Sequence, residues 1–107
     1  LFVRKPELLK FTRLPSGIVA STTKFDERDF VNTNPFIADP HYLGGKTGRT
    51  DAARETMLSL FQYSVGGRTY PIAVIVLRSS YGSRQNDADL LFEKFFDLVD
   101  YLLLVAV

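Results

Sequence analysis

Leu43-Gly44-Gly45-Lys46-Thr47-Gly48-Arg49-Thr50 is the stretch that decides how this chain folds. A Lys-Thr pair flanked by glycines serves two different chemistries. In one, a loop leading into a helix cradles a nucleotide's phosphates, which requires Gly-x4-Gly-Lys-Ser/Thr. Gly45-Lys46-Thr47 supplies the end of that pattern, but its opening glycine falls on Pro40. Proline has no N–H to offer a phosphate and is confined to negative φ. Phe36-Ile37-Ala38-Asp39 is also a weak leading strand. In the other chemistry, Lys-Thr-Gly lies on a strand bordering a cleft. A plainer reading remains beside both: a polar turn between strands, with Lys46 and Arg49 solvated, since short motifs match by chance.

Downstream, Asp51 to Tyr63 carries two patterns. Ala52, Ala53, Met57, Leu60 and Phe61 have helical spacing, with Thr50 placed to cap them. Thr56 to Tyr63 also reads as a strand running into Gly66-Gly67. The next segment favours the strand. Tyr70 to Leu77 is a continuous β-branched run, as in a strand buried on both faces, and a Gly-Gly turn just before it predicts a hairpin. The last segment predicts a helix capped by Asn86 or Asp87. Leu91, Phe92, Phe95, Phe96, Val99, Leu102 and Leu103 form its apolar face, to be buried across the sheet.

Upstream, Arg4 to Leu14 is basic and apolar, and Pro15-Ser16-Gly17 is a turn. Ile18 to Thr23 reads as a short strand, and Phe25 to Phe30 as a solvated hairpin or loop. Asn32-Thr33-Asn34-Pro35 and Asp39-Pro40 are turn chemistry. The layout is α+β: two or three antiparallel strands, then a packing helix.

Bulk composition narrows the function classes. The chain has 107 residues, 46% hydrophobic and 23% charged, which suits a small domain or a piece of a larger one. Thirteen basic against twelve acidic residues give no reason to expect a nucleic-acid or membrane-surface partner. Cysteine is absent, so disulfides and thiolate metal sites are excluded. His41 is the one histidine, and beside Tyr42 it reads as a surface or packing residue. The start has no apolar run of signal-peptide length, and Leu98 to Val107 is too short to span a bilayer. A first residue of Leu rather than Met hints at an upstream extension.

Beyond the octapeptide, an ordered set of features carries a resemblance. Gly45-Lys46-Thr47-Gly48-Arg49-Thr50-Asp51-Ala52-Ala53 resembles the Gly-x-Lys-Thr-Gly-x-Thr-x-x-Ala-Gly stretch of penicillin-binding-protein-type serine D-Ala-D-Ala carboxypeptidases. Asn32-Thr33-Asn34 resembles that family's upstream turn. Ile72 to Leu77 and Arg84 to Phe96 resemble its next strand and closing helix. The chain, residues 1–107, then stands as a single partial domain, the C-terminal portion of a β-lactamase/transpeptidase-like catalytic fold. One departure is Arg54, where the family has glycine.

The resemblance implies roles. Lys46, Thr47 and Arg49, the last through its backbone N–H in the oxyanion hole, would be catalytic. Lys46, Thr47, Gly48 and Thr50 would bind substrate. The physical sense is plain: a cation and hydroxyls for a peptide's terminal carboxylate, and a glycine that lets its backbone lie against the strand. The implied substrate is a peptidoglycan stem peptide ending in D-Ala-D-Ala, with β-lactams bound by the parent protein outside the cytoplasmic membrane. No metal and no organic cofactor are implied. The family's nucleophile is a serine in Ser-x-x-Lys on the first turn of a buried helix. Ser21-Thr22-Thr23-Lys24 spells it, but close to Lys46 and within β-branched residues, and Ser-x-Asn does not occur. The chain is therefore expected to hold no nucleophile and to be inactive alone. The alternatives are a non-catalytic binding or structural domain, or part of a β-lactamase-like hydrolase or β-lactam sensor.

Overall fold

The computed structural model describes residues 4–105, so the outer ends of the N-terminal segment and of the apolar tail lie outside the described residues. Two glycines build the main hairpin. Gly66 and Gly67 have φ of 57° and 76°, the doubly left-handed geometry of a two-residue turn that matches strand twist. They join β4 (Arg54–Val65) to β5 (Arg68–Ser79), with Val65 opposite Arg68. β3 (Tyr42–Thr50) pairs antiparallel on the other side of β4, giving the order β3-β4-β5. The helical pattern over Asp51 to Phe61 is therefore not realised. Thr50 does cap, but it caps a turn: its hydroxyl accepts the Ala53 N–H at 3.0 Å.

β4 alternates cleanly. Glu55, Met57, Ser59 and Phe61 are buried on one face, against Phe36, Tyr42 and the final helix, α2 (Arg84–Val105). Phe61 is the hub, with ring centroids 4.7 Å from Phe92, 5.3 Å from Phe36 and 5.8 Å from Tyr42. It is wholly buried, and truncating such a residue to alanine costs about 3–5 kcal/mol.

Three expectations need correction. β5 is buried on one face only: Val74 and Val76 point into the core, while Ile75 and Leu77 are exposed. Its β-branched run reports strand propensity rather than two covered faces. Secondly, α2 begins before Asn86. Gly82, at φ 78°, turns the chain, and Asp87 lies in the first turn, where its carboxylate accepts the Ser79 hydroxyl. Thirdly, α2 packs on the sheet through Ala88, Phe92 and Phe96, the last with its ring 5.2 Å from Tyr63 of β4. Leu98 and Tyr101 to Val105 are exposed, so the apolar face expected of this helix is only partly covered. No helix among the described residues is long and apolar enough to cross a membrane.

The N-terminal part holds elements the pattern underdetermined. α1 (Glu7–Thr12) follows Pro6, a residue suited to a helix start. β1 (Ser16–Val19) and β2 (Arg28–Val31) form a separate two-stranded sheet. β1 starts and stops earlier than Ile18 to Thr23, because Thr22 uses its hydroxyl to accept the Lys24 and Phe25 N–H groups in a turn.

Candidate functional site

The geometry of β3 is set by the two glycines before Lys46. Tyr42 faces Phe61 and Gly44 faces Leu60, which leaves Leu43 as a bulge. Gly44 has φ +146°, and a Cβ there would lie 2.5 Å from Thr12 Oγ1 and 3.2 Å from the Leu9 carbonyl of α1. A Cβ on Gly45 would lie 2.2 Å from the Leu58 carbonyl of β4. These positions let α1 and β4 approach closely, and Gly45 N–H donates to Thr12 Oγ1 at 3.2 Å. Lys46, Thr47 and Gly48 then run straight, paired with Leu58, Met57 and Thr56. The opposite edge of β3 has no strand partner among the described residues.

A clamp of three residues holds Thr47. Asn32 Nδ2 donates to the carbonyls of Thr12 and Leu14 at 2.8 and 3.0 Å, and its Oδ1 accepts the Asn34 N–H at 2.9 Å. Asn34 is buried; its Nδ2 donates to Ser59 Oγ at 2.8 Å and its Oδ1 accepts the Phe36 N–H at 3.0 Å. Thr33, fixed between them, shares a hydrogen bond with Thr47, Oγ1 to Oγ1, at 2.6 Å. Asn32-Thr33-Asn34 was legible as a turn, but nothing in the spacing tied Thr33 to Thr47.

Around these hydroxyls lies a groove of about 560 Å³, lined by Thr33, Lys46, Thr47, Gly48, Arg49, Glu55 and Arg84. The Lys46 ammonium donates to the Thr47 carbonyl. Arg49 lays its guanidinium over Tyr81, 4.3 Å from the ring centroid. Arg84 Nη2 reaches the Thr33 carbonyl at 3.4 Å. Three cations and two hydroxyls beside an unpaired strand edge suit a peptide bearing a carboxylate. Lys46, Thr47, Gly48 and Arg49 thus come together. Thr50 is at the strand's end with its hydroxyl engaged in the turn. Arg84, Tyr81 and Glu55 join the site without a sequence signal that marked them.

Other sequence candidates fall elsewhere. Lys46 is mid-strand and followed by a hairpin, so the loop-and-helix frame of a phosphate site is not formed. Ser21 to Lys24 lies in the exposed connection between β1 and β2, in no helix. His41 stacks on Tyr63 with centroids 4.4 Å apart and meets Asp39 at 3.1 Å. Beneath the site, burial pushes the Tyr42 hydroxyl up to about 12. Tyr63 is raised too, by burial first and then by the charge of Asp39.

Two solved structures from Mycobacterium tuberculosis are similar to this chain in fold. A penicillin-binding protein homolog superposes over 90% of this chain with a TM-score of 0.60 and 29% identity. A D-alanyl-D-alanine carboxypeptidase does so over 89%, with a TM-score of 0.58 and 30% identity. The fold is that of the penicillin-binding-protein carboxypeptidases. This chain spans 36% of the length of each of the two proteins, so it corresponds to part of the carboxypeptidase fold. No protein-family model matches the sequence, and no curated protein does.

Proposed function

We propose that this chain is the substrate-binding part of a serine-type D-Ala-D-Ala carboxypeptidase. The observation that carries the proposal is the groove along β3, where Lys46, Thr47, Arg49 and Arg84 surround an unpaired strand edge. A peptide ending in a carboxylate lies antiparallel along that edge, its carboxylate on Thr47 and the cations. The Arg49 backbone N–H supplies one oxyanion donor. The attacking serine belongs to a helical Ser-x-x-Lys segment outside these 107 residues, which adds the acyl-enzyme step. The substrate class is then the peptidoglycan stem peptide, processed outside the cytoplasmic membrane, and β-lactams acylate the same serine in the complete enzyme.

Fluorescent penicillin tests this reading. The chain alone is expected to remain unlabelled. A protein that joins it to the in-frame coding sequence upstream of Leu1 is expected to be labelled, and Lys46→Ala is expected to reduce labelling at least tenfold. Covalent labelling of Ser21 in the isolated chain would contradict the division of labour. A start codon close to Leu1, with no Ser-x-x-Lys upstream, would leave a non-catalytic carboxylate-binding role.

A further inference from the structure

At Thr33 and Thr47 two hydroxyls share a single hydrogen bond, 2.6 Å from Oγ1 to Oγ1. Each hydroxyl carries one proton and two lone pairs. Among the described residues neither has another hydrogen-bond partner, so one proton lies within the pair and one is left over. Both hydroxyls border the groove beside Lys46, with Thr33 exposed and Thr47 half-buried. The pair is held from behind. Asn32 Oδ1 accepts the Asn34 N–H and Asn34 Oδ1 accepts the Phe36 N–H, two successive turns closed by asparagine side chains. Thr33 stands between these two asparagines, and Asn34 is tied in turn to Ser59 of β4. Thr47 is fixed separately, by its pairing with Met57 on β4. Two independently anchored segments therefore bring the hydroxyls together before any ligand arrives.

A carboxylate offers lone pairs and no proton. One that bonds to the Thr47 hydroxyl takes the Thr47 proton, and the 2.6 Å bond then persists only with Thr33 as its donor. We infer that Thr33 is a positioning residue for carboxylate recognition: it donates to Thr47, so that Thr47 donates to the ligand. This rests on the carboxylate-binding reading of the same groove. A hydroxyl that accepts one hydrogen bond is a stronger donor of the next. A charged acceptor makes the stronger bond and so gains more from that polarisation than a neutral one. Thr33, acting through Thr47, thereby favours a terminal carboxylate over a terminal amide.

The test is to measure dissociation constants of N-acetyl-D-alanyl-D-alanine and of its C-terminal amide, by NMR titration of the 107-residue chain and its variants. Thr33→Val keeps the side chain's shape and removes the hydroxyl, with folding checked by its thermal melt. It is expected to weaken carboxylate binding about fivefold, in the range one hydrogen bond contributes, and amide binding by less than about twofold. Thr33→Ser keeps the hydroxyl and is expected to bind the carboxylate within about twofold of the wild-type chain. Equal weakening of both ligands in Thr33→Val overturns the inference, since Thr33 then only holds Thr47 in place. Unchanged carboxylate binding overturns it as well, and both results leave the carboxylate site standing. Binding of neither ligand by the wild-type chain overturns the carboxylate site, and this inference with it. Thr33→Ala makes the same comparison if Thr33→Val does not fold.

Discussion

Arg54 shows how one residue can resolve a doubt that a motif leaves open. In the resembling family that position is glycine, and here Arg54 adopts φ +54° as the first residue of β4 after the three-residue turn Asp51 to Ala53. A residue with a Cβ costs about 1–2 kcal/mol in that region. The backbone takes a conformation that glycine adopts without a steric cost. Arg54→Gly relieves that cost and regains part of it as unfolded-chain entropy, about 0.5–1 kcal/mol. The expected net gain is about 0.5 kcal/mol, seen in a thermal melt as a rise of about 2–4 °C. An unchanged or lower Tm would show that Arg54 is unstrained. Lys46, Thr47 and Gly48 were legible because a short motif names them directly. Glu55 and Thr33 were not, because their roles depend on which strand and which turn lie opposite.

Among the elements, the Asn32–Asn34 turn does more than reverse the chain. Asn34 joins the buried hydroxyl of Ser59 on β4 to the Phe36 N–H, and through Thr33 it sets the position of Thr47 on β3. Asn34→Ala strands both groups. Each buried, unpaired polar group costs about 1–3 kcal/mol, so a loss of about 2–4 kcal/mol is expected in urea unfolding, with the midpoint falling and the slope unchanged. A change below about 0.5 kcal/mol would mean that the turn is held by other contacts. Strand and hairpin signals were readable here because the doubly left-handed turn that joins twisted strands admits few residues besides glycine, and Gly66-Gly67 supplies both positions. α1 was not, since six residues present too little periodicity. The exposed side of β5 was not readable either, because a β-branched run has the same sequence whether one face or both are covered.

The whole molecule is elongated, at 62 × 30 × 23 Å with a radius of gyration of 16.6 Å, against about 13 Å for a compact chain of this length. Ile75 and Leu77 on β5, and Leu98 and Tyr101 to Val105 on α2, leave apolar surface open. That agrees with a chain spanning 36% of each carboxypeptidase-fold relative. Its stability carries an alkaline limit. Tyr42 keeps its proton to about pH 12 in the fold but loses it near 10 when unfolded. Above pH 10 the unfolded state therefore binds fewer protons, and stability falls as pH rises, levelling off past 12 at a total of roughly 3 kcal/mol. Tyr42→Phe is expected to flatten this decline in equilibrium unfolding between pH 9 and 11. A decline of unchanged steepness in that variant would assign it to other groups.

Backbone NMR shows whether the β3 groove binds a peptide through its terminal carboxylate. Amide resonances of the chain are followed during titration with N-acetyl-D-alanyl-D-alanine, and separately with the same dipeptide capped as a C-terminal amide. Saturable shifts concentrated at Lys46 to Thr50, Thr33 and Arg84 are expected for the free carboxylate, with at least tenfold weaker binding for the amide. Shifts of equal size with both ligands, or none with either at millimolar concentration, would contradict it.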